Sequence, residues 1–506
     1  MTTDVIVVGA GPVGLMLGAE LRLAGASSLL LDRLAVPSSR RKARGVGPPA
    51  AEALRRRGLG ERIAAHHSRG SADKARDHGS ERGHFAWIHK VDLALQEEPD
   101  RQGVLIWQPD LEAVLGEYAA GLGVPVHRAH TVTAIVQDDH GVTVTARTPE
   151  GERRFSAAYL VGCDGGRSTV RKLAGFNFPG TGPIMTARQA EAEIADPGVL
   201  PPSGRTPTGT LFHSPGRVGT FEFDAADVPA DREAPVTREE LQASLRRVSG
   251  TEVTVTSIGP SLRFTDHARQ AATYRQGRVL LAGDAAHVHS PNGGQGLNLG
   301  LLDAVNLGWK LAAEVRGEAP EGLLDSYTRE RHPAGAAVLH NTRAQSALLR
   351  PGAHTDALRD IVSDLMDIPE VNRHFGRMLT GLGTRYALPY ATKDPHPLLG
   401  QHCPDLKLTA NSADGGGGSR TELLSRIATD GGTLLLAPGD GPVLAAAAEW
   451  RERLTVVETT GIDRDDLSAA LIRPDGVVAW AASPEQAPDT AALTTALRTW
   501  LGASSG

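Results

Sequence analysis

Three short stretches carry residue types that could do chemistry. The first is Gly9-Ala-Gly-Pro-Val-Gly14 followed by Asp32, the second Tyr159 to Arg171 (YLVGCDGGRSTVR), and the third Gly283 to Gly300 (GDAAHVHSPNGGQGLNLG). In the first, Gly9, Gly11 and Gly14 fit GxGxxG: a tight turn, a close backbone approach to a diphosphate, and close helix–strand packing. Pro12 suits a first helical turn, and Asp32 lies where an acid accepts a ribose hydroxyl. In the second, Ser168 is placed to cap a helix starting at Thr169, which by itself is an ordinary strand-to-helix turn. In the third, Asp284 leaves a strand as an acceptor, and Pro291 to Gly296 delivers free backbone N–H groups at a helix start, where an anion is favoured.

Two glycine-rich loops in one chain need a common explanation. A dinucleotide whose adenosine end is held between Gly9 and Asp32 has a second end some distance away. FAD fits better than a nicotinamide dinucleotide. Its ribityl chain offers hydroxyls to Asp284, and its reduced ring carries negative charge that the helix opening at Gly296-Leu297-Asn298 can stabilise. A helix terminus contributes up to ~2 kcal/mol, roughly one and a half pKa units in favour of the anionic reduced ring.

The elements that must position these loops are legible from apolar spacing. Asp4 to Val8 reads as a buried parallel strand, Val13, Leu17, Leu21 and Ala24 as one face of a helix stopped by Gly25, and Ser28 to Asp32 as the next strand. Gln108 to Leu122 reads as a helix, and Val124 to Val144 as strands with a turn at Asp138 to Gly141. Between Phe176 and Asp266 proline-rich loops and alternating runs such as Thr220 to Phe223 indicate a β-rich insertion. Arg278 to Asp284 is again a buried strand, and Leu297 to Val315 a long helix. Past Leu399, Gly415 to Gly418 punctuates a small α/β module. The expected architecture is therefore α/β: a discontinuous Rossmann-like nucleotide-binding domain (1–175 and 267–395), an inserted β-rich substrate domain (176–266), and a C-terminal domain (396–506).

Length, charge and cysteines bound the rest. The chain has 506 residues, enough for a large core, a formal charge of -6, and two cysteines, Cys163 and Cys403, with no CxxC or zinc spacing. No metal is expected, His287 and His289 reading as packing beside the third loop. Nothing argues for nucleic acid or membrane as a partner, no leader or long apolar run is seen, and a reducing cytoplasm is the expected location.

The ordered set GAGPVG with Asp32, then YLVGCDGGRSTVR, then RVLLAGDAAHVHSPNGGQGLNLGLLDAVNLGWKLA, resembles the class A FAD-dependent monooxygenases over nearly the whole chain. Within that class it is similar to actinobacterial polyketide hydroxylases and rifampicin monooxygenases, with a thioredoxin-like C-terminal domain. The resemblance implies that Gly9, Gly11, Val13 and Gly14 hold the pyrophosphate, Asp32 the adenosine ribose, and Val132 the adenine through its backbone, with Arg33 a further cofactor-binding residue. It implies that Gln108 and Asp284 meet the ribityl chain, and that Pro291, Gly294, Gly296, Leu297 and Asn298 line the flavin. Arg44 stands for the family arginine near diphosphate and flavin, the one catalytic candidate apart from the flavin hydroperoxide itself. Asp164 and Arg167 belong to the motif tied to both FAD and NADPH. One departure is Gly47-Pro-Pro-Ala-Ala51, where many relatives carry an arginine or threonine pair.

The implied reaction has NADPH (or NADH) reduce FAD, dioxygen add at C4a, and the hydroperoxide pass one oxygen atom to a polycyclic aromatic. Baeyer–Villiger insertion, epoxidation and inactivation of a rifamycin-type antibiotic use the same motifs. A non-catalytic flavin-binding partner protein is the reading outside this class, and an NAD-type dehydrogenase would leave Asp284 to Asn298 without a task. A homodimer is among the expectations.

Overall fold

The computed structural model describes residues 3–69, 82–223, 234–391, 393–409, 420–422, 432–439 and 441–503. The run Gly415 to Gly418 lies outside them. The β-branched stretch Thr3–Val8 forms the centre of an eight-stranded sheet, parallel to Ser28–Leu31 on one side and to Gly151–Gly162 on the other. Gly151–Gly162 in turn pairs parallel with Val279–Leu281, so strands from both sides of residues 176–266 complete one sheet. Helix Pro12–Leu23 covers it, and helix Gly296–Val315 packs on that helix. The core is aliphatic and closed: Val5, Ile6, Val7, Leu30, Leu160, Val161, Leu280 and Leu281 have no solvent exposure.

A second, antiparallel sheet of five strands runs in the order Gly204–Thr206, Gly209–Ser214, Arg217–Phe223, Met185–Ile194, Val255–Thr265. Its two faces differ because side chains alternate along a strand. One face carries Met185, Ala187, Phe221 and Phe264. The other carries Arg188, Thr220 and Glu222 beneath helix Arg238–Ser249, where Arg188 bridges Glu222 at 2.6 Å and Glu240 at 2.7 Å. That helix is absent from the alternating pattern read in the sequence. Its signals were nevertheless there: Thr237 accepts from the N–H of Glu240 in a capping arrangement, and Gly250 ends it at φ 69°.

The C-terminal sheet runs Leu454–Glu458, Thr433–Ala437, Ala469–Ile472, Val478–Ala482, the first pair parallel and the others antiparallel, with helix Thr490–Leu501 packed on one face. This is a thioredoxin-like arrangement. Leu435, Leu471, Trp480 and Trp500 share an apolar cluster with Trp309 of the long helix Gly296–Val315, which continues the core across the seam.

The same seam is polar at its heart. Arg473 at the end of Ala469–Ile472 is wholly buried, donates to both oxygens of Glu330 at 2.7 and 2.8 Å, and meets Asp475 at 3.0 Å. Lys310 and Asn306 of the long helix also reach Glu330, each at 2.7 Å. Burial alone would raise the Glu330 carboxyl, but Arg473 and Lys310 hold it well below the usual carboxylate range. Replacing Arg473 by Met leaves two buried carboxylates short of their cation. We expect a stability loss of about 3–5 kcal/mol, seen as a lowered urea midpoint by circular dichroism. A midpoint equal to that of the unaltered chain would show that the Arg473 ion pairs contribute nothing net.

Candidate functional site

The three glycine motifs meet at the carboxyl ends of the central strands, where ligands of open α/β sheets bind. Gly9 turns at φ 106°, and a Cβ there would stand 2.4 Å from the Cys163 carbonyl oxygen, so first and second motifs touch backbone to backbone. Gly283 turns at φ 62° against Val13, and a Cβ on Gly300 would stand 2.7 Å from the same valine side chain. First and third motifs therefore interlock as well. Gly14 serves this packing: its Cβ would lie 1.9 Å from the Gly9 oxygen.

A cavity of about 2260 Å³ opens where they meet. Gly9, Gly11 and Val13 form part of its wall, as do Asp32, Arg33, Arg44, Gln108, Val132, Asp164, Arg167 and Asp284. Pro291, Gly294, Gly296, Leu297 and Asn298 continue it. Gly14 is the exception among the residues singled out from sequence: it stands behind the wall, and its place is in helix–strand packing.

The wall offers donors where an anion would sit. Helix Pro12–Leu23 begins after Gly11, and helix Gly296–Val315 after Gln295, each with no side-chain cap. Among the described residues no hydrogen bond takes up the N–H groups of Gly11, Val13, Gly296 or Leu297, and a Cβ on Gly11 or Gly294 would meet only open space. Uncapped helix starts are a cost unless a ligand supplies the acceptors. Lys42, Arg40 and Arg128 add positive charge to the same wall, Arg128 lying 4.0 Å from Asp32.

The acids divide in role. Asp32 accepts from the N–H of Ala10 at 2.7 Å and of Leu34 at 2.8 Å, which locks the glycine loop and leaves lone pairs for a hydroxyl. Asp284 is exposed to the cavity and makes no hydrogen bond among the described residues. Asp164 instead takes the Ser168 hydroxyl at 2.5 Å and the N–H of Thr169 at 2.6 Å, so its carboxylate shapes the turn. Burial raises its pKa against these bonds. Ser168 caps the following short helix by accepting from Arg171 N–H at 2.9 Å. Gln108 donates to Glu112 at 2.7 Å, and burial raises the Glu112 pKa. Asn298 accepts from the N–H of Gly47 and donates to the Gly294 carbonyl at 3.1 Å, tying the Gly47-Pro-Pro segment to the third loop. Arg44 lies with its guanidinium 5.5 Å from the Trp107 ring.

Sequence reading missed the residues that fasten the motifs together. Arg171 donates to the carbonyls of Ala285 and Gly166, both at 2.8 Å, and covers the Phe178 ring at 3.8 Å. Asp303, fully buried, accepts from the N–H of Gly283 at 2.9 Å, from His287 Nε2 at 2.7 Å and from Arg331 Nε at 2.7 Å. Burial works against its ionisation, yet Arg331 and His287 keep its pKa depressed. His287 is thereby a structural donor, and among the described residues no cluster of three metal-binding side chains occurs.

The opposite side of the cavity is apolar and aromatic. Phe221, Leu262 and Phe264 of the five-stranded sheet face it, together with Trp87, His84 and Leu379. Phe85 and Trp87 separate in role: Phe85 is buried against Phe375 with ring centres 4.6 Å apart, whereas Trp87 reaches the cavity. Among the described residues no helix is long and apolar enough to cross a membrane.

Comparison with known proteins bears directly on this arrangement. Residues 2–342 match the family model of the FAD binding domain, and residues 396–504 that of the aromatic-ring hydroxylase C-terminal domain. The chain is 43% identical to the 12-dehydrotetracycline 5-monooxygenase/anhydrotetracycline 6-monooxygenase of Streptomyces rimosus, over 99% of each chain. It is 38% identical to the rifampicin monooxygenase of Streptomyces venezuelae, again over 99% of each. The solved structure of the anhydrotetracycline hydroxylase OxyS from Streptomyces rimosus superposes with a TM-score of 0.87 at 40% identity, covering all of both chains. A mixed α/β chain with both matched domains, a cavity walled by three interlocked glycine motifs, and full-length monooxygenase relatives belongs to the class A FAD-dependent monooxygenases, the aromatic-ring hydroxylases.

Proposed function

We propose that this FAD enzyme hydroxylates a polycyclic aromatic metabolite of polyketide type, with NADPH or NADH as transient reductant. The observation that carries this reading is the two-sided cavity: one wall is made of uncapped helix starts and acids, the other of aromatic side chains from a sheet. In this reading the chain divides as 1–175 with 267–395 for the cofactor, 176–266 for the substrate wall, and 396–506 for the tail.

When bound, FAD supplies the redox chemistry and oxygen activation. The chain's own residues bind and orient. The N–H groups of Gly11 and Val13 would receive the diphosphate, Asp32 and Arg33 would hold its adenosine side, and Val132 the adenine. Asp284 and Gln108 accept and donate at the ribityl hydroxyls. The helix opening at Gly296, Leu297 and Asn298 would favour negative charge on the ring, and Pro291 and Gly294 would line it. Arg44 holds negative charge beside the diphosphate, and Asp164 with Arg167 shapes the mouth that NADPH approaches. Phe221, Leu262 and Phe264 keep water from the reacting ring.

Three outcomes test this. The FAD-loaded protein, incubated with NADPH and a panel of anhydrotetracyclines and anthraquinones, should oxidise NADPH faster with one of them and yield a product heavier by one oxygen atom. Substrate-independent oxidation to hydrogen peroxide across the whole panel would reject the substrate class. Asp284→Ala should weaken FAD binding roughly tenfold or more through loss of a charged acceptor, measured by flavin retention and titration. Full retention would remove Asp284 from the cofactor site. Arg44→Ala should lower kcat/KM about tenfold, equivalent to about 1.4 kcal/mol, with an unchanged melting temperature. Unaltered turnover would remove Arg44 from the catalytic site.

A further inference from the structure

The two-stranded hairpin Arg82–Phe85 and Ile88–Asp92 turns through Ala86 and Trp87, with Phe85 paired to Ile88 across the turn. Both turn residues are left-handed, Ala86 at φ 50° and Trp87 at φ 63°. Such a two-residue turn ordinarily takes Asn or Gly, and an Ala-Trp pair pays a conformational penalty in it. Strain of this kind persists only where the surroundings impose it.

Here they do. The N–H of Ala86 donates to the buried Gln345 side chain at 3.1 Å, and the Ala86 carbonyl accepts from Arg359 at 2.7 Å. Gln345 lies on helix Asp325–Leu349 and Arg359 on helix Ala353–Leu365, so two helices clamp one turn residue. The residue that follows is thereby presented to the cavity. Trp87 packs on the apolar cluster of Phe85, Val91, Leu349 and Met366, to which Phe223 also belongs. Phe223 in turn joins Phe221 and Phe264 on the sheet. The indole is thus continuous with the aromatic face of the five-stranded sheet.

His84 completes the arrangement. Its ring centre lies 5.9 Å from that of Trp87 and 5.2 Å from that of His89. Its Nδ1 accepts from the Trp87 N–H at 3.4 Å, which assigns the proton of the neutral ring to Nε2. Burial and the neighbouring His89 push its pKa down to about 4, so the ring is neutral at physiological pH. His84 stands on the cavity wall, where a neutral ring offers a donor without bringing in a charge.

We propose that Trp87 and His84 are the specificity-determining residues of the substrate wall: the Trp87 indole stacks on the face of a planar polycycle, and His84 Nε2–H donates to an oxygen substituent on its edge. This inference rests on the reading of the cavity as a polycyclic aromatic site. Stacking suits a flat ring system because aromatic pairs gain beyond the area they bury, and a single well-placed donor fixes which edge points inward. A clamped turn costs little further ordering when substrate arrives, which is the benefit of holding Trp87 in a strained conformation beforehand.

Glycine substitution separates the indole from the turn. Trp87→Gly removes the indole and relieves the left-handed φ, which offsets part of the packing lost at the cluster, and circular dichroism checks that the variant is folded before titration. Titrating FAD-loaded protein with anhydrotetracycline in the absence of NADPH, followed by the change in flavin absorbance, should show roughly tenfold weaker binding for Trp87→Gly. Trp87→Phe should lose less, and Ala86→Gly, which relaxes the turn and keeps the indole, should bind like the unaltered chain. His84→Gln, which keeps a donor, should bind more tightly than His84→Leu. Equal affinity for Trp87→Gly and the unaltered chain would overturn the proposal while leaving the substrate class intact. Failure of the unaltered chain to bind anhydrotetracycline or any anthraquinone tested would overturn both.

Discussion

The buried carboxylate of Asp303 is the point on which the cofactor site turns. Three donors from separate places in the chain converge on it: the N–H of Gly283, the ring of His287 and the guanidinium of Arg331. A carboxylate taken out of water is expensive unless its lone pairs are filled, and here the filling groups are the third glycine motif itself and a helix behind it. The position of Asp284, one residue past Gly283, is therefore set from beneath by electrostatics. Arg331 extends the hold by donating to the Leu299 carbonyl at 2.9 Å and to the Tyr386 hydroxyl at 2.8 Å. Its neighbour Glu330 begins the second polar cluster, with Arg473, Lys310 and Asn306. Two consecutive residues of one helix thus serve the cofactor loop and the C-terminal domain, and the tail is built into the support of the site.

Polar satisfaction is unevenly distributed, and the unevenness has meaning. Behind the cavity, Asp303 and Glu330 are each filled by two or more donors. On the cavity wall the helix starts at Gly11 and Gln295 lack side-chain caps. Other helices, such as Ala353–Leu365 and Pro369–Thr380, also start without a side-chain cap; the two that follow Gly11 and Gln295 differ in opening on the cavity, so what would cap them matters. The residues that would do so, Ser, Thr, Asp or Asn, would stand where a ligand's oxygens must come. The glycine and glutamine found there keep the donors free for an anion.

How much of this was legible beforehand follows from the range of each interaction. The βαβ unit from Thr3 to Leu31 and the helix Gly296–Val315 were readable because their signals are local: glycine spacing, a proline at a first turn, apolar residues three and four apart. Gly14 takes the packing role that the motif gives its third glycine, letting Gly9 and the helix touch, and it does not line the cavity. Arg171, Asp303 and Arg331 were invisible because nothing in a neighbouring residue marks a side chain whose partner lies tens or hundreds of positions away. Helix Arg238–Ser249 was a different kind of miss: Thr237 and Glu240 formed a local start signal, overshadowed by the alternating strands around it. The left-handed Ala86-Trp87 turn could not be read at all, because its residue types argue against the conformation they adopt.

The five-stranded sheet shows how one element can be conservative and adaptable at once. On its far face Arg188 and Arg263 meet Glu222 and Glu240 under a helix, a network in which loss of one member leaves a buried charge unpaired. On its near face Phe221, Leu262 and Phe264 make only non-directional contacts with whatever fills the cavity. Because side chains alternate, the two faces can be altered independently without shifting register. Substrate range can therefore change through near-face side chains and the Trp87 hairpin while the ion pairs behind keep the sheet in place. The cofactor wall has no such freedom, since each of its loops is interlocked with another through a glycine that no larger residue can replace.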